Sequence, residues 1–322
     1  MTSSSVAPAG PATRRPVLFW ASGVCAAAML LVPGWMLIGN PAVLRGHPLL
    51  PVLLVVAAVL GLLWGVLLWR RRHASPPRST LRTIGAWTGR VAVLALVAAL
   101  AWLNPFAYQP NSAAAARPAS EVSVIESPTT ITMKPAGAPA TLGLIFYPGA
   151  RVEARAYADV LRPAVDAGFL VVILKTPLGL SLLDGNQARG AMAANPGIST
   201  WVVGGHSLGG VSASSFAGNN ADVSGLLLYA SYPVESLRDR EGLAVLSISG
   251  TEDGLSTPDK IDASRELLPP AAGFVAIQGG AHAFFGSYGP QPGDGHPEIS
   301  QEAAQEQISA ATVAFLEQNR GR

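Results

Sequence analysis

Trp201-Val202-Val203-Gly204-Gly205-His206-Ser207-Leu208-Gly209-Gly210 is the stretch that decides the fold. Its first four residues form an apolar run of strand character, and the pattern from Ser207 to Ala217 is helical, stopping at Gly218. A chain that turns sharply from strand to helix at Gly205-His206-Ser207-Leu208-Gly209 holds its serine in a strained conformation, and the flanking glycines leave room for other segments to approach closely. Such a turn presents the hydroxyl as a nucleophile. A Gly-rich strand-to-helix turn also suits phosphate, but no lysine follows here as it does in a phosphate-binding loop.

Working outward, residues 142–147, 169–174, 201–205, 223–229, 243–248 and 274–278 read as strands, preceded by a strand-like pair over 121–126 and 130–134. Their near-continuous hydrophobicity fits burial on both faces. Residues 157–167, 207–217 and 259–267 read as helices from their stop signals. The alternation predicts a mostly parallel sheet with helices on both faces.

A serine hydroxyl needs a base to take its proton. Five histidines compete. His47 and His73 belong to the apolar N-terminal part, His206 adjoins the serine on a turn that should point it elsewhere, and His296 lies deep in a Gly/Pro-rich loop. His282 directly follows the last strand, at the sheet edge where open α/β sheets bind ligands, and is the expected base. The carboxylate that orients it is expected to be Asp253 in Gly250-Thr251-Glu252-Asp253-Gly254, with Glu252 and Glu235 as rivals. The developing oxyanion needs preorganised N–H donors, expected from the backbones of Leu208 and of Ala150 in Tyr147-Pro148-Gly149-Ala150-Arg151.

Phe146-Tyr147-Pro148-Gly149, Arg155-Ala156-Tyr157, Gly204 to Gly210, Gly250 to Gly254, Gly280 to Gly286 and Gly289 to Gly295 together resemble a bacterial α/β-hydrolase family akin to dienelactone hydrolases. The resemblance covers about residues 140–318 and implies an α/β-hydrolase fold with a Ser207, Asp253, His282 triad. The nucleophile is serine, where true dienelactone hydrolases have cysteine, so the implied substrate is an ester or related acyl compound rather than dienelactone itself. The chemistry expected is acyl transfer through Ser207, with neither metal nor cofactor. Two alternatives remain at this point: a non-catalytic membrane module with a vestigial triad, and an acyltransferase using the same residues.

Charged residues make up only 13% of the 322 residues, about half the usual share, and the deficit is concentrated in residues 17–106. Three segments there, 16–38, 49–69 and 84–106, are long and apolar enough to span a bilayer core of about 30 Å. Arg14 and Arg15 precede the first as in a signal peptide, but no small-x-small site follows and two more spans do, so it reads as a span. Arg70, Arg71, Arg72, Arg78 and Arg82 between the second and third spans, against Arg45 alone between the first and second, place the N-terminus in the cytoplasm. Three crossings then put the rest outside the cytoplasmic membrane. The expected division is a membrane region over 1–106, a linker over 107–120 and the α/β-hydrolase domain over 121–322. The net charge of +2 suggests no nucleic-acid partner, and the single cysteine, Cys25, rules out an intramolecular disulfide. A small acyl substrate and the membrane are the expected partners.

Overall fold

The computed structural model describes residues 17–71, 79–110 and 122–321. Arg14, Arg15, Arg72, Arg78, His73 and most of the expected linker lie outside these residues. The chain divides into two compact units, one of Met1–Met36 with Leu53–Trp102, the other of Leu37–Val52 with Leu103–Arg322.

Three helices, α1 (Val17–Gly39), α3 (Leu49–Arg70) and α4 (Thr80–Trp102), are long and apolar enough to cross a membrane; between the first two lies the four-residue α2 (Ala42–Arg45). The first two helices match the expected segments to within a residue. The third begins and ends four residues earlier than expected; at its end Asn104-Pro105 prevents continuation, since a proline disfavours helical conformation in the residue before it. Within the first unit, α1 and α3 approach so closely that a Cβ on Gly61 would stand 2.7 Å from Cβ of Met29. Small residues allow such contact between apolar helices. Arg90 does not stand alone on α4: its Nε donates to the Ser22 hydroxyl at 3.0 Å. The Cys25 thiol is buried and donates to the Arg90 carbonyl at 3.7 Å.

The second unit is built on an eight-stranded sheet in the order β1-β2-β4-β3-β5-β6-β7-β8. The strands are β1 (Ser123–Glu126), β2 (Thr130–Lys134), β3 (Leu142–Tyr147), β4 (Leu170–Leu174), β5 (Thr200–His206), β6 (Val223–Tyr229), β7 (Ala244–Gly250) and β8 (Gly273–Ile277). β1 and β2 are antiparallel to their neighbours, and all other pairs are parallel. Every residue of β3, β4 and β5 is buried, which accounts for their unbroken apolar runs. Helices α5 (Ala158–Asp166) and α9 (Gln301–Asn319) pack on each other, and Leu161 and Leu316 are wholly buried in the core on that face. α6 (Gln187–Ala193) and α7 (Leu208–Asn219) line the other core with Ala188, Ala213 and Ala217. The short α8 (Pro258–Ala263) runs into a 3-10 turn over Ser264–Leu267, where one continuous helix was expected. Among the short elements that no sequence signal marked are α6 and the turns Pro177–Gly179 and Ser181–Asp184.

The expected boundaries need correction. Rather than running free from residue 107, the chain after α4 joins the second unit at once. Phe106 forms a bridge with Val152, its N–H donating to the Arg151 carbonyl at 2.7 Å, while the Gln109 N–H donates to the Ser287 carbonyl at 2.8 Å. The Tyr108 N–H donates to buried Glu153 at 2.8 Å. The turn between α1 and α3 belongs to the same unit: Asn40 Nδ2 donates to Asn104 Oδ1 and to the Pro105 carbonyl, both at 2.8 Å, and Arg45 stands 3.8 Å from Glu153. These backbone groups have definite partners, which composition does not reveal.

Candidate active site

β5 ends at His206 and α7 begins at Leu208, leaving Ser207 between them at φ 51 and ψ −124. A positive φ on a residue with a side chain is strained and persists only where surroundings impose it. Here the Ser207 N–H donates to the Tyr229 carbonyl at 3.0 Å, and the Ser231 hydroxyl donates to the Ser207 carbonyl at 2.7 Å. Gly209 allows the tight approach: a Cβ there would run into the carbonyls of Tyr147 and Pro148. The turn is therefore seated against the loop that leaves β3.

Asp253 follows β7 and is buried. Its Oδ1 accepts from the N–H groups of Leu255 at 2.8 Å and Ser256 at 2.7 Å. Its Oδ2 lies 2.8 Å from Nδ1 of His282, and neither side chain reaches solvent. With Nδ1 carrying the proton toward the carboxylate, Nε2 is left as the basic atom. Nε2 is buried and has no hydrogen-bond partner among the described residues. The His282 ring lies against the strand end that carries the serine, its centroid 4.5 Å from that of His206. The Ser207 hydroxyl itself makes no hydrogen bond to Nε2. The structure thus joins Asp253 to His282 directly and brings His282 beside the serine turn.

The rivals stand elsewhere. His296 and Glu235 are exposed, and Glu252 is half-buried and accepts from the Thr251 hydroxyl at 3.2 Å. His206 is wholly buried with its Nδ1 2.9 Å from the Tyr157 hydroxyl. Burial, and to a lesser degree the neighbouring His282, hold its pKa well below the usual histidine range, so it stays neutral beside His282. The N–H groups of Leu208 and Ala150, the two expected oxyanion donors, make no hydrogen bond among the described residues. Of the aromatic residues near the site, Tyr157, Phe285 and Tyr288 are buried, and burial raises the pKa of both tyrosines. Tyr232 and Phe284 are partly exposed.

Asp294 is a residue that the spacing of the motifs did not single out. Its Oδ1 accepts from the N–H groups of His282 at 3.0 Å and Gly254 at 3.3 Å, and its Oδ2 from Ala283 at 2.8 Å. One carboxylate therefore pins the loop of His282 to the residue after Asp253. Its sequence signals were its place in the Gly289 to Gly295 motif and its setting in Gly293-Asp294-Gly295, which reads equally as a turn.

The family profile described as "Alpha/beta hydrolase family" matches residues 143–306, half of the chain. The chain belongs to the alpha/beta hydrolase family. Among solved structures similar to this hydrolase are three covering all or nearly all of their own length. A dienelactone-hydrolase-like promiscuous phosphotriesterase from metagenomic libraries is 16% identical, covers 59% of this chain and 92% of its own, and has a TM-score of 0.45. The esterase domain of a Rhodothermus marinus protein is 12% identical, with 62% and 99% covered and a TM-score of 0.46. A dienelactone hydrolase from Anabaena variabilis is 14% identical, with 62% and 99% covered and a TM-score of 0.45. No match was found among curated protein sequences.

Proposed function

We propose that this hydrolase is a membrane-anchored serine hydrolase that cleaves an ester or related acyl bond through an acyl-enzyme on Ser207. The observation that supports this reading is the buried Asp253–His282 hydrogen bond of 2.8 Å, with the His282 ring packed 4.5 Å from that of His206, the residue before the strained Ser207. In the proposed cycle Nε2 takes the Ser207 proton as Oγ attacks the acyl carbonyl, and the N–H groups of Leu208 and Ala150 receive the oxyanion. The imidazolium then protonates the leaving group. Water, deprotonated by the same nitrogen, releases the acid and restores Ser207.

An apolar acyl group suits the surface beside the turn. The Ser181 hydroxyl donates to the Leu208 carbonyl at 3.3 Å, and the next two residues, Leu182 and Leu183, are 60% and 55% exposed. The three apolar helices support a membrane anchor. The contacts of Asn40 and Arg45 with Asn104 and Glu153 support a common side for the turn after α1 and the hydrolase domain. With the arginine bias between α3 and α4, that side is extracytoplasmic.

A fluorophosphonate probe applied to the full-length chain in detergent tests the chemistry: labelling of wild type and none of Ser207→Ala supports it. An unlabelled wild type overturns it in favour of a binding module. In cells stripped of any outer layer, added protease should digest the hydrolase domain; protection until the membrane is broken overturns the orientation.

A further inference from the structure

We propose that Tyr157 and His206 are positioning residues that tie the loop carrying the Ala150 N–H to the strand end carrying Ser207. The inference rests on the serine-hydrolase reading above, and deepens it.

The Tyr157 hydroxyl is wholly buried and meets two partners. It accepts from the Gly149 N–H at 2.9 Å and lies 2.9 Å from Nδ1 of His206. A buried hydroxyl left without an acceptor for its proton is costly, and Nδ1 is the acceptor offered among the described residues. The order is therefore Gly149 N–H to Tyr157 Oη, and Tyr157 O–H to His206 Nδ1. This assigns the remaining ring proton of neutral His206 to Nε2.

The consequence falls on the two peptide units that meet at Gly149. The Gly149 N–H is held by Tyr157, and the Gly149 carbonyl accepts from the Val152 N–H at 3.1 Å. In a planar trans peptide the N–H points opposite to the carbonyl, so fixing the Gly149 carbonyl fixes the direction of the Ala150 N–H. The next residue, Arg151, has a φ of 62, a strained conformation that its neighbours must maintain; its N–H donates to the Gly179 carbonyl at 2.7 Å. Nothing larger than glycine fits at 149, since a Cβ would stand 2.7 Å from Nδ1 of His206. Tyr157 is itself tied to the loop of the base, because the Ser287 N–H donates to the carbonyl of the preceding Ala156 at 2.7 Å. His206 is the residue before the nucleophile and stacks on Phe285 with an interplanar angle of 12°. One buried pair thus sets the oxyanion loop against the nucleophile, without touching substrate.

The test uses the full-length chain in detergent, with p-nitrophenyl butyrate as substrate and a fluorophosphonate probe for Ser207. Tyr157→Phe removes the O–H and the acceptor for Gly149 while keeping the ring. His206→Leu removes the acceptor for Tyr157, and His206→Asn restores one, because Oδ1 of asparagine stands close to the position of Nδ1. Misaligning one oxyanion donor should lower kcat about ten- to a hundredfold in Tyr157→Phe and His206→Leu, with KM within about threefold. His206→Asn should keep kcat within about threefold of wild type. Equal losses in His206→Asn and His206→Leu overturn the proposal, as does an unchanged kcat in His206→Leu. Should Tyr157→Phe fail to fold, the two His206 variants decide by themselves. A wild type that neither labels nor turns over the ester overturns both this inference and the function on which it rests, whereas a labelled wild type with an active His206→Leu overturns this inference alone.

Discussion

Nδ1 of His282 stands 2.8 Å from Oδ2 of Asp253, and no water reaches either side chain. Because the carboxylate can only accept, it selects the tautomer with the proton on Nδ1. Asp253→Asn offers an N–H instead, favours the opposite tautomer and should lower kcat by a factor on the order of 10⁴. Ser207→Ala and His282→Ala should each lose several orders of magnitude, and combining them should add little. Glu252→Gln and exposed His296→Ala should stay within about threefold of wild type. Steady-state kinetics on p-nitrophenyl butyrate distinguish these outcomes, and a Ser207→Ala chain with most of its activity would sink the mechanism.

Asp294 should matter nearly as much as a residue that touches substrate. Its removal in Asp294→Ala leaves the N–H groups of His282 and Ala283 without their acceptor, and each such unmade bond costs about 1–3 kcal/mol. The expected outcome is a lowered melting temperature together with a kcat reduced at least about tenfold. Asp294→Asn retains the Oδ1 contacts and should recover part of both. An Asp294→Ala chain with wild-type kcat would show that the loop of His282 holds itself.

The start of the domain is measurable by truncation. A fragment from Leu103 keeps the bonds made by Phe106, Tyr108 and Gln109, and one from residue 118 loses them. At about 1 kcal/mol net for each bond, less the cost of ordering the segment, the longer fragment should be more stable by about 1–3 kcal/mol in urea. Equal midpoints would mean that these residues ride on the domain without supporting it.

Acid should weaken the fold partly through His206. Its pKa is held well below the unfolded value of 6.5, chiefly by burial, so the unfolded chain binds a proton that the folded one refuses. Stability from this residue is then complete above about pH 6.5 and falls as the pH drops further, by up to about 1.4 kcal/mol per unit. Thermal melts of wild type and His206→Asn between pH 7.5 and 5 should show a shallower loss for the variant. Parallel curves would mean that His206 accepts its proton without opening the core.

Leu182→Ser with Leu183→Ser tests the acyl preference. Removing two exposed leucines next to the serine turn should leave turnover of p-nitrophenyl acetate within about twofold and lower kcat/KM for the octanoate about tenfold, since each buried methylene is worth about 0.8 kcal/mol. An unchanged chain-length profile would place the acyl group elsewhere.

The sheet, the three long apolar helices and the serine turn at Ser207 were legible in the order of residues because each is a local signal. Strands buried on both faces are apolar throughout, spans are apolar for about 20 residues, and a serine turn needs glycines at fixed offsets. What the order of residues left open was which distant groups meet. Glu252 and Asp253 are neighbours with the same chemistry, and only the fold turns Asp253 toward His282 while leaving Glu252 against Thr251. Asp294, Tyr157 and His206 act through backbone N–H groups and one another, and a backbone donor has no residue type to read. The segment from Phe106 to Gln109 looked like the start of a tether for the same reason: its bonds are made by the main chain, whose partners are decided only when the tertiary structure brings Arg151, Glu153 and Ser287 beside it.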